Sequence, residues 1–236
     1  MPTTENNRTV FEEETFSPAE LRRVLKSTAA EDLTFRRCDF TELDLGGIDL
    51  PGVVLERCVF DRAGLRDCRL DGARVIAGSF VGTRFLGTDL TDAVFTAADL
   101  SQAKFKEALL VDATFTDCKM VGADLTGLRG LAVTFTLADC NLQLANLTEV
   151  NLRGLHLTGC DLTEAELRGT DLRDTVFENC RLRDVNLSKT RLDGADLRGA
   201  DLGGTTTDTP RHLKGAIISL RQAAAICDAL GLTVIE

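Results

Sequence analysis

Counted in steps of five from Phe35, the chain places an apolar residue at every step as far as Leu125, nineteen positions without exception. A second block from Leu142 to Leu202 adds thirteen more, all leucine apart from Phe177. The residue two before each of these centres is small or apolar and never charged, although 27% of the chain is charged. Two positions in five therefore point inward and three outward. Five matches neither the 3.6 period of a helix nor the 2.0 period of a strand. A fixed internal repeat of this kind predicts a solenoid, in which each unit buries its apolar side against the units before and after it.

The number of five-residue sides per coil follows from the cysteines. Cys38, Cys58 and Cys118 differ by multiples of 20, as do Cys140, Cys160 and Cys180, and Phe40, Phe60 and Phe80 repeat the spacing. Four sides make one coil. The expected fold is an all-β, right-angled solenoid of about eight coils, with like residues stacked at roughly the 4.8 Å strand spacing. Gly72, Gly82, Gly122, Gly154, Gly169, Gly194 and Gly199 fall two after a centre, where a corner calls for backbone freedom.

The two blocks are out of frame, because Leu125 and Leu142 are 17 apart. A net insertion of two residues within 126–139, spread over "GLRGLAVTFTLA", keeps all six thiols on one side, whereas seven or twelve extra residues would move the last three. The alternative is a short projecting loop hinged on Gly127 and Gly130.

Three segments result: a strand and helix cap over 1–32, the repeats over 33–204, and a connector, helix and short strand over 205–236. In the first, "RTVFEEE" is a candidate strand, and Ser17, Pro18 and Glu20 form a capping box ahead of Leu21, Val24 and Leu25. In the last, "TTTDTPRH" breaks the repeat, Ser219 and Gln222 form a second capping box, Gly231 stops the helix, and "LTVIE" is the final strand.

Composition narrows the chemistry. Twelve Phe with no Trp or Tyr suit a dry, narrow core, since phenylalanine buries no polar atom. A net charge of −10 argues against direct binding to nucleic acid or an anionic membrane and favours basic partners. The start "MPTTENNRTV" has no apolar leader and no run reaches 18 apolar residues, so a soluble, cytoplasmic protein is expected. His156 faces outward and His212 lies in the connector, neither with a partner fixed by spacing, and no phosphate-binding loop, dinucleotide fingerprint or zinc-protease motif occurs. An enzyme, a cofactor and a metal are not expected. Stacked thiols form a line rather than a tetrahedron and stand too far apart for easy disulfides, so the cysteines are expected to be reduced, small core residues.

The segments "ADLTDAVFTAADLSQAKF", "ANLTEVNL" and "ADLRGADLGG" closely resemble the units of the pentapeptide-repeat proteins. The resemblance implies a right-handed quadrilateral β-helix. Within that family the chain is most similar to the quinolone-resistance (Qnr-type) and mycobacterial-type proteins. Their function would make this an acidic rod, dimerised through its C-terminal end, that mimics duplex DNA and protects DNA gyrase or topoisomerase IV from quinolones or natural-product poisons. The stretch "LKGAIISLRQAAAICDALGLTV" is the part most similar to that group's dimerisation module, which assigns Ile217, Ile218, Leu220, Ile226, Leu230, Leu232 and Val234 to a homodimer interface. An N-terminal helix and the lack of long outward loops set this chain apart from the Qnr-type members.

Aspartates and asparagines one before the centre, such as Asp39, Asp44, Asn141 and Asn146, suit bonds to nearby backbone amides at turns. Charge by side is more selective. The sides of Phe35 and Leu45 are near neutral, while those of Phe40 and Leu50 carry about −4 and −3. Asp89, Asp92 and Asp112 on the Leu50 side, with Asp99, Asp161 and Glu164 on the Phe40 side, are the candidate partner-binding residues. The competing expectation is an interaction scaffold for an unrelated protein.

Overall fold

The repeat closes a coil because three of its four sides end in a hydrogen-bonded four-residue turn, while the strand-bearing side bends at a left-handed residue such as Arg37 or Arg57. The N–H of Ala63 donates to the Phe60 carbonyl (2.9 Å) and that of Ala93 to the Leu90 carbonyl (3.0 Å), and the residue before each donor is left-handed. This is a type II turn, whose third residue requires positive φ. Glycine fills many such corners, but Glu42, Asp92, Gln102, Glu164 and Lys189 adopt the same conformation at φ of 56 to 61°. Gly199 is the exception among the glycines named above. It is not left-handed, and a Cβ there would lie 2.9 Å from the Phe177 carbonyl oxygen, so close approach of backbone explains it.

These turns stack into a computed structural model that describes residues 2–130 and 134–235. Among the described residues eleven strands form one sheet in sequence order. They are β1 (Thr3–Glu5), β2 (Arg8–Glu12), β3 (Leu33–Arg36), β4 (Val54–Glu56), β5 (Arg74–Ile76), β6 (Val94–Thr96), β7 (Thr114–Thr116), β8 (Thr136–Ala138), β9 (His156–Thr158), β10 (Val176–Arg181) and β11 (Asp196–Asp201). β1 and β2 form an antiparallel hairpin, and from β2 to β11 every pairing is parallel, one strand per coil. The stack thus extends the repeat by a non-repetitive coil at its N-terminal end. The other three sides are joined by single parallel bridges such as Asp39↔Val59, Asp44↔Gly64 and Asp49↔Arg69.

Register across the frame break is decided by three pairs. Phe95 pairs with Phe115, Phe115 with Leu137, and Lys119 with Asn141, so the offset rises from 20 to 22 and Cys118 and Cys140 share one side. Leu109 still pairs with Arg129 at an offset of 20, whereas the Asp112 N–H meets Thr134 Oγ1 at an offset of 22. The two extra residues therefore enter between Arg129 and Thr134, a span that includes residues 131–133, which lie outside the described residues.

Thirty of the 32 centres are buried, and phenylalanines stack along columns, with Phe40–Phe60 and Phe60–Phe80 centroids 4.5 and 4.9 Å apart. The small inward position has a second role. Cys58 Sγ donates to the Phe35 carbonyl (3.2 Å), Cys68 Sγ to Leu45 (3.1 Å) and Thr83 Oγ1 to Phe60 (2.6 Å), each reaching the preceding coil. Cysteine and threonine here are small side chains that bring a hydrogen to the carbonyl of a centre one coil back, which at Leu45 and Phe60 also holds the turn.

Helix α1 (Pro18–Ser27) closes the N-terminal end, with the Ser17–Glu20 capping box formed and Leu21 fully buried. At the other end α2 (Thr209–His212) and α3 (Leu220–Ala229) follow the last coil, and the Ser219–Gln222 box is formed. Gln222 also donates Nε2 to the Leu197 and Ala200 carbonyls, both at 2.8 Å, so one side chain starts the helix and seals the edge of β11. The expected final strand is absent among residues 232–235. The free edge of β11 is already taken by Ile217, which pairs with Asp196, and by Gln222, so the tail has no strand to join.

Candidate partner-binding surfaces

Chain order around the coil makes the sides of Phe40 and Leu50 opposite one another, separated by the near-neutral sides of Phe35 and Leu45. Asp89, Asp92 and Asp112 lie together on the Leu50 side, where Asp89 bridges to Arg69 and Leu109. Asp99, Asp161 and Glu164 lie on the Phe40 side, where Asp99 bridges to Lys119 and Asp161 to Arg181. The six candidates form two stripes on opposed flanks rather than one patch.

Their charges are not equally free. Lys119 Nζ sits 3.1 Å from Asp99, and Arg181 3.3 Å from Asp161, each cation one coil further on. Burial pushes the Asp99 carboxyl upward, but bonds from Ser101 and Lys119 outweigh it and hold the group below the usual range. Asp161 behaves alike, with Thr163, Gln143 and Arg181 opposing burial. Asp92, Asp112 and Glu164 stand exposed at left-handed corners and make no ion pair among the described residues.

The turn role of the aspartates and asparagines one before a centre is plain in the geometry. Asp39 Oδ1 accepts the Thr41 N–H (2.8 Å), Asp89 the Thr91 N–H (3.0 Å) and Asn146 the Thr148 N–H (3.1 Å). Asp196 also grips the Arg198 guanidinium at 2.6 Å, which lowers its pKa to about 2.

At the C-terminal end the seven assigned apolar residues divide. Ile226 is buried and Ile218 packs against the core, so these two close the solenoid. Ile217, Leu220, Leu230, Leu232 and Val234 are exposed, Leu220 by 91%. Ile235, exposed by 86%, adjoins them and lies one residue beyond the stretch that carries the resemblance, which ends at Val234.

The cysteines offer a test of the register. All eight are free, seven are buried and Cys227 is half-buried. Burial pushes the Cys68 thiol up to about 11. In native protein only Cys227 should react quickly with an aromatic disulfide reagent, and all eight should react after denaturation. For Cys68 the folded pKa exceeds that of an ordinary thiol, so above the ordinary value the unfolded chain loses the proton first. Its contribution should therefore fall as pH rises from about 9 toward about 11, and Cys68→Ala should flatten that part of a stability–pH curve. Rapid native labelling of seven or eight thiols would contradict the buried column. Among the described residues no cluster suited to a metal ion occurs, and no helix is long and apolar enough to cross a membrane.

Comparison with known proteins gives one family. The model described as "Pentapeptide repeats (8 copies)" matches residues 38–75, 68–106, 93–127, 140–179 and 170–206, about two thirds of the chain. No curated protein sequence matches. Among solved structures the chain is similar to HetL, a pentapeptide repeat protein involved in heterocyst differentiation regulation from the cyanobacterium Nostoc, at 20% identity over 88% of this chain and 89% of that one, TM-score 0.39. It is similar to full-length QnrB1, a plasmid-mediated fluoroquinolone resistance protein, at 21% identity over 94% and 97%, TM-score 0.39. A pentapeptide repeat protein of the Arabidopsis thaliana thylakoid lumen aligns at 29% identity over 48% and 71%, TM-score 0.36.

Proposed function

Because the chain belongs to the pentapeptide-repeat family, whose repeat is itself the scaffold, its function must reside in its surfaces and ends, and we propose that it is a non-enzymatic duplex mimic. It joins end to end through its C-terminal segment and occupies the DNA-binding groove of DNA gyrase or topoisomerase IV, shielding the enzyme from poisons that trap cleaved DNA. The observation that carries this reading is the stack of parallel coils with acidic stripes on two opposed flanks and an apolar end. Ten parallel strands at roughly 4.8 Å span about 43 Å, and two rods joined at the apolar ends would exceed 80 Å. A basic groove shaped for a duplex touches such a rod on both flanks at once.

The test is purified gyrase or topoisomerase IV with and without the protein, read as supercoiling or decatenation and as drug-induced cleavage at two salt concentrations. Binding should weaken as salt rises. Replacing Asp89, Asp92 and Asp112 together with Asn should leave the fold intact and weaken binding on the order of tenfold, at about 0.5 kcal/mol for each charge. Leu230→Asp should halve the mass in solution and weaken binding through lost bivalency. A folded dimer that neither binds these enzymes at low salt nor changes cleavage would favour the scaffold reading, to which the neutralisation of Asp99 and Asp161 by Lys119 and Arg181 already lends some weight.

A further inference from the structure

The two centres that escape burial, Leu187 and Leu202, are not scattered. Both line a recess of about 190 Å³ at the C-terminal end, together with Val185 and Leu213, and with Ser188 and Thr209 also along its walls. The gap has a cause in the chain path. A further repeat would have laid another side over Leu187, but the chain leaves the coil after Gly204 and α2 crosses there instead. The core column on that side is left without its last layer.

The same end carries apolar side chains with nothing to cover. Leu232, Val234 and Ile235 follow α3, which is itself tied to the last coil by Gln222 and by Thr205 Oγ1 bonded to the Ala225 carbonyl (3.0 Å). Their side chains are exposed by 58, 50 and 86%. An uncovered floor and an unburied tail on one end of one molecule are the two halves of a self-complementary contact. In a two-fold dimer residue i of one copy meets residue j of the other and the reverse. We infer that the recess is the docking site for residues 232–235 of a second copy, so that the dimer exchanges tails and each tail supplies the missing layer above Leu187 and Leu202. The inference rests on the end-to-end dimer proposed above and adds what holds it. Four extended residues reach about 13 Å, enough to lie across the end of a coil whose sides are five residues long.

Cysteine trapping tests it on the full chain, in a Cys227→Ser background that removes the one native thiol outside the core. One tagged copy carries Val234→Cys, and a second, differently tagged, carries Thr209→Cys. They are mixed and treated with diamide, which takes up the two electrons and two protons released as the disulfide forms. A covalent product bearing both tags is expected, at ten or more times the yield when Thr163→Cys, in the middle of the rod, replaces Thr209→Cys. A chain carrying both Val234→Cys and Thr209→Cys that cross-links only within itself would overturn the exchange, because the tail would then cover its own recess. Light scattering separates the remaining failures. Dimer mass without cross-linking discards the recess as the docking site and leaves the dimer standing, whereas monomer mass discards both.

Discussion

Leu100→Asp is expected to yield no soluble folded protein. Leu100 is fully buried, in a column whose neighbours one coil away on either side are Phe80 and Met120. Truncation to alanine would cost about 2–5 kcal/mol from lost transfer and the cavity left behind. A carboxylate placed there has no cation or donor within the column, and burying an unpaired charge costs several kcal/mol more. A domain with about 5–15 kcal/mol of stability cannot absorb much of that. In a solenoid the damage also spreads, since the substituted coil loses both interfaces and the stack divides into two short pieces. Soluble yield and far-ultraviolet circular dichroism read the outcome. Leu100→Met should stay within about 1.5 kcal/mol of the parent by urea denaturation, as a change that conserves volume. A Leu100→Asp protein with an unchanged urea midpoint would falsify the five-residue register.

Gly78→Ala should be the most damaging of the glycine substitutions, although nothing in its sequence position announces it. Gly78 occupies the inward column between Cys58 and Ala98, at φ +96°. A Cβ built there collides with the carbonyl oxygen of Cys58, which is backbone and already accepts the Ser79 N–H at 2.9 Å. Neither partner can move without breaking the ladder, so a loss of more than about 2–3 kcal/mol is expected. The corner glycines give the contrast. At Gly72 and Gly82 a Cβ meets nothing nearer than 4.0 and 3.5 Å, and other residue types hold the same φ elsewhere on the rod. Alanine there should cost only about 1 kcal/mol, the left-handed penalty of one residue. Urea midpoints of the three variants side by side decide it, and equal losses at Gly78 and Gly72 would mean that the close approach at Gly78 is relieved by movement.

The solenoid was legible because its geometry is written in a period. Every centre had to be apolar for coils to stack, so the count in fives and the cysteine spacing of 20 gave the number of sides and the register across the break. The point of insertion was not legible, because "GLRGLAVTFTLA" holds apolar residues in more than one frame. The C-terminal cap was legible only where a local rule applied. Ser219 and Gln222 marked the helix, but the second duty of Gln222 on β11 depends on how the helix docks. The final strand failed for a related reason: alternation in "LTVIE" describes a side-chain pattern, and a strand exists only where an edge is open to receive it. The acidic candidates fall on two opposed sides, and a count by side takes no account of neighbours along a column. Lys119 and Arg181 lie 20 residues beyond Asp99 and Asp161, a spacing that the repeat itself supplies.

Opposed acidic flanks have a consequence for how the rod is felt at a distance. With about −4 on one side and about −3 on the side across from it, the transverse dipole nearly cancels, and the leading asymmetry around the axis is a quadrupole, negative on two flanks and neutral on the two between. A half turn about the long axis leaves that pattern almost unchanged, so two rotational settings of the rod are electrostatically equivalent. Net charge draws the rod toward a basic surface, but the orienting part of the field decays faster with distance and exerts torque only near contact. A flat basic surface engages one flank and leaves the other in solvent, whereas a concave one gains from both. Recognition should therefore discriminate partners by curvature, with the final angular alignment made inside the groove.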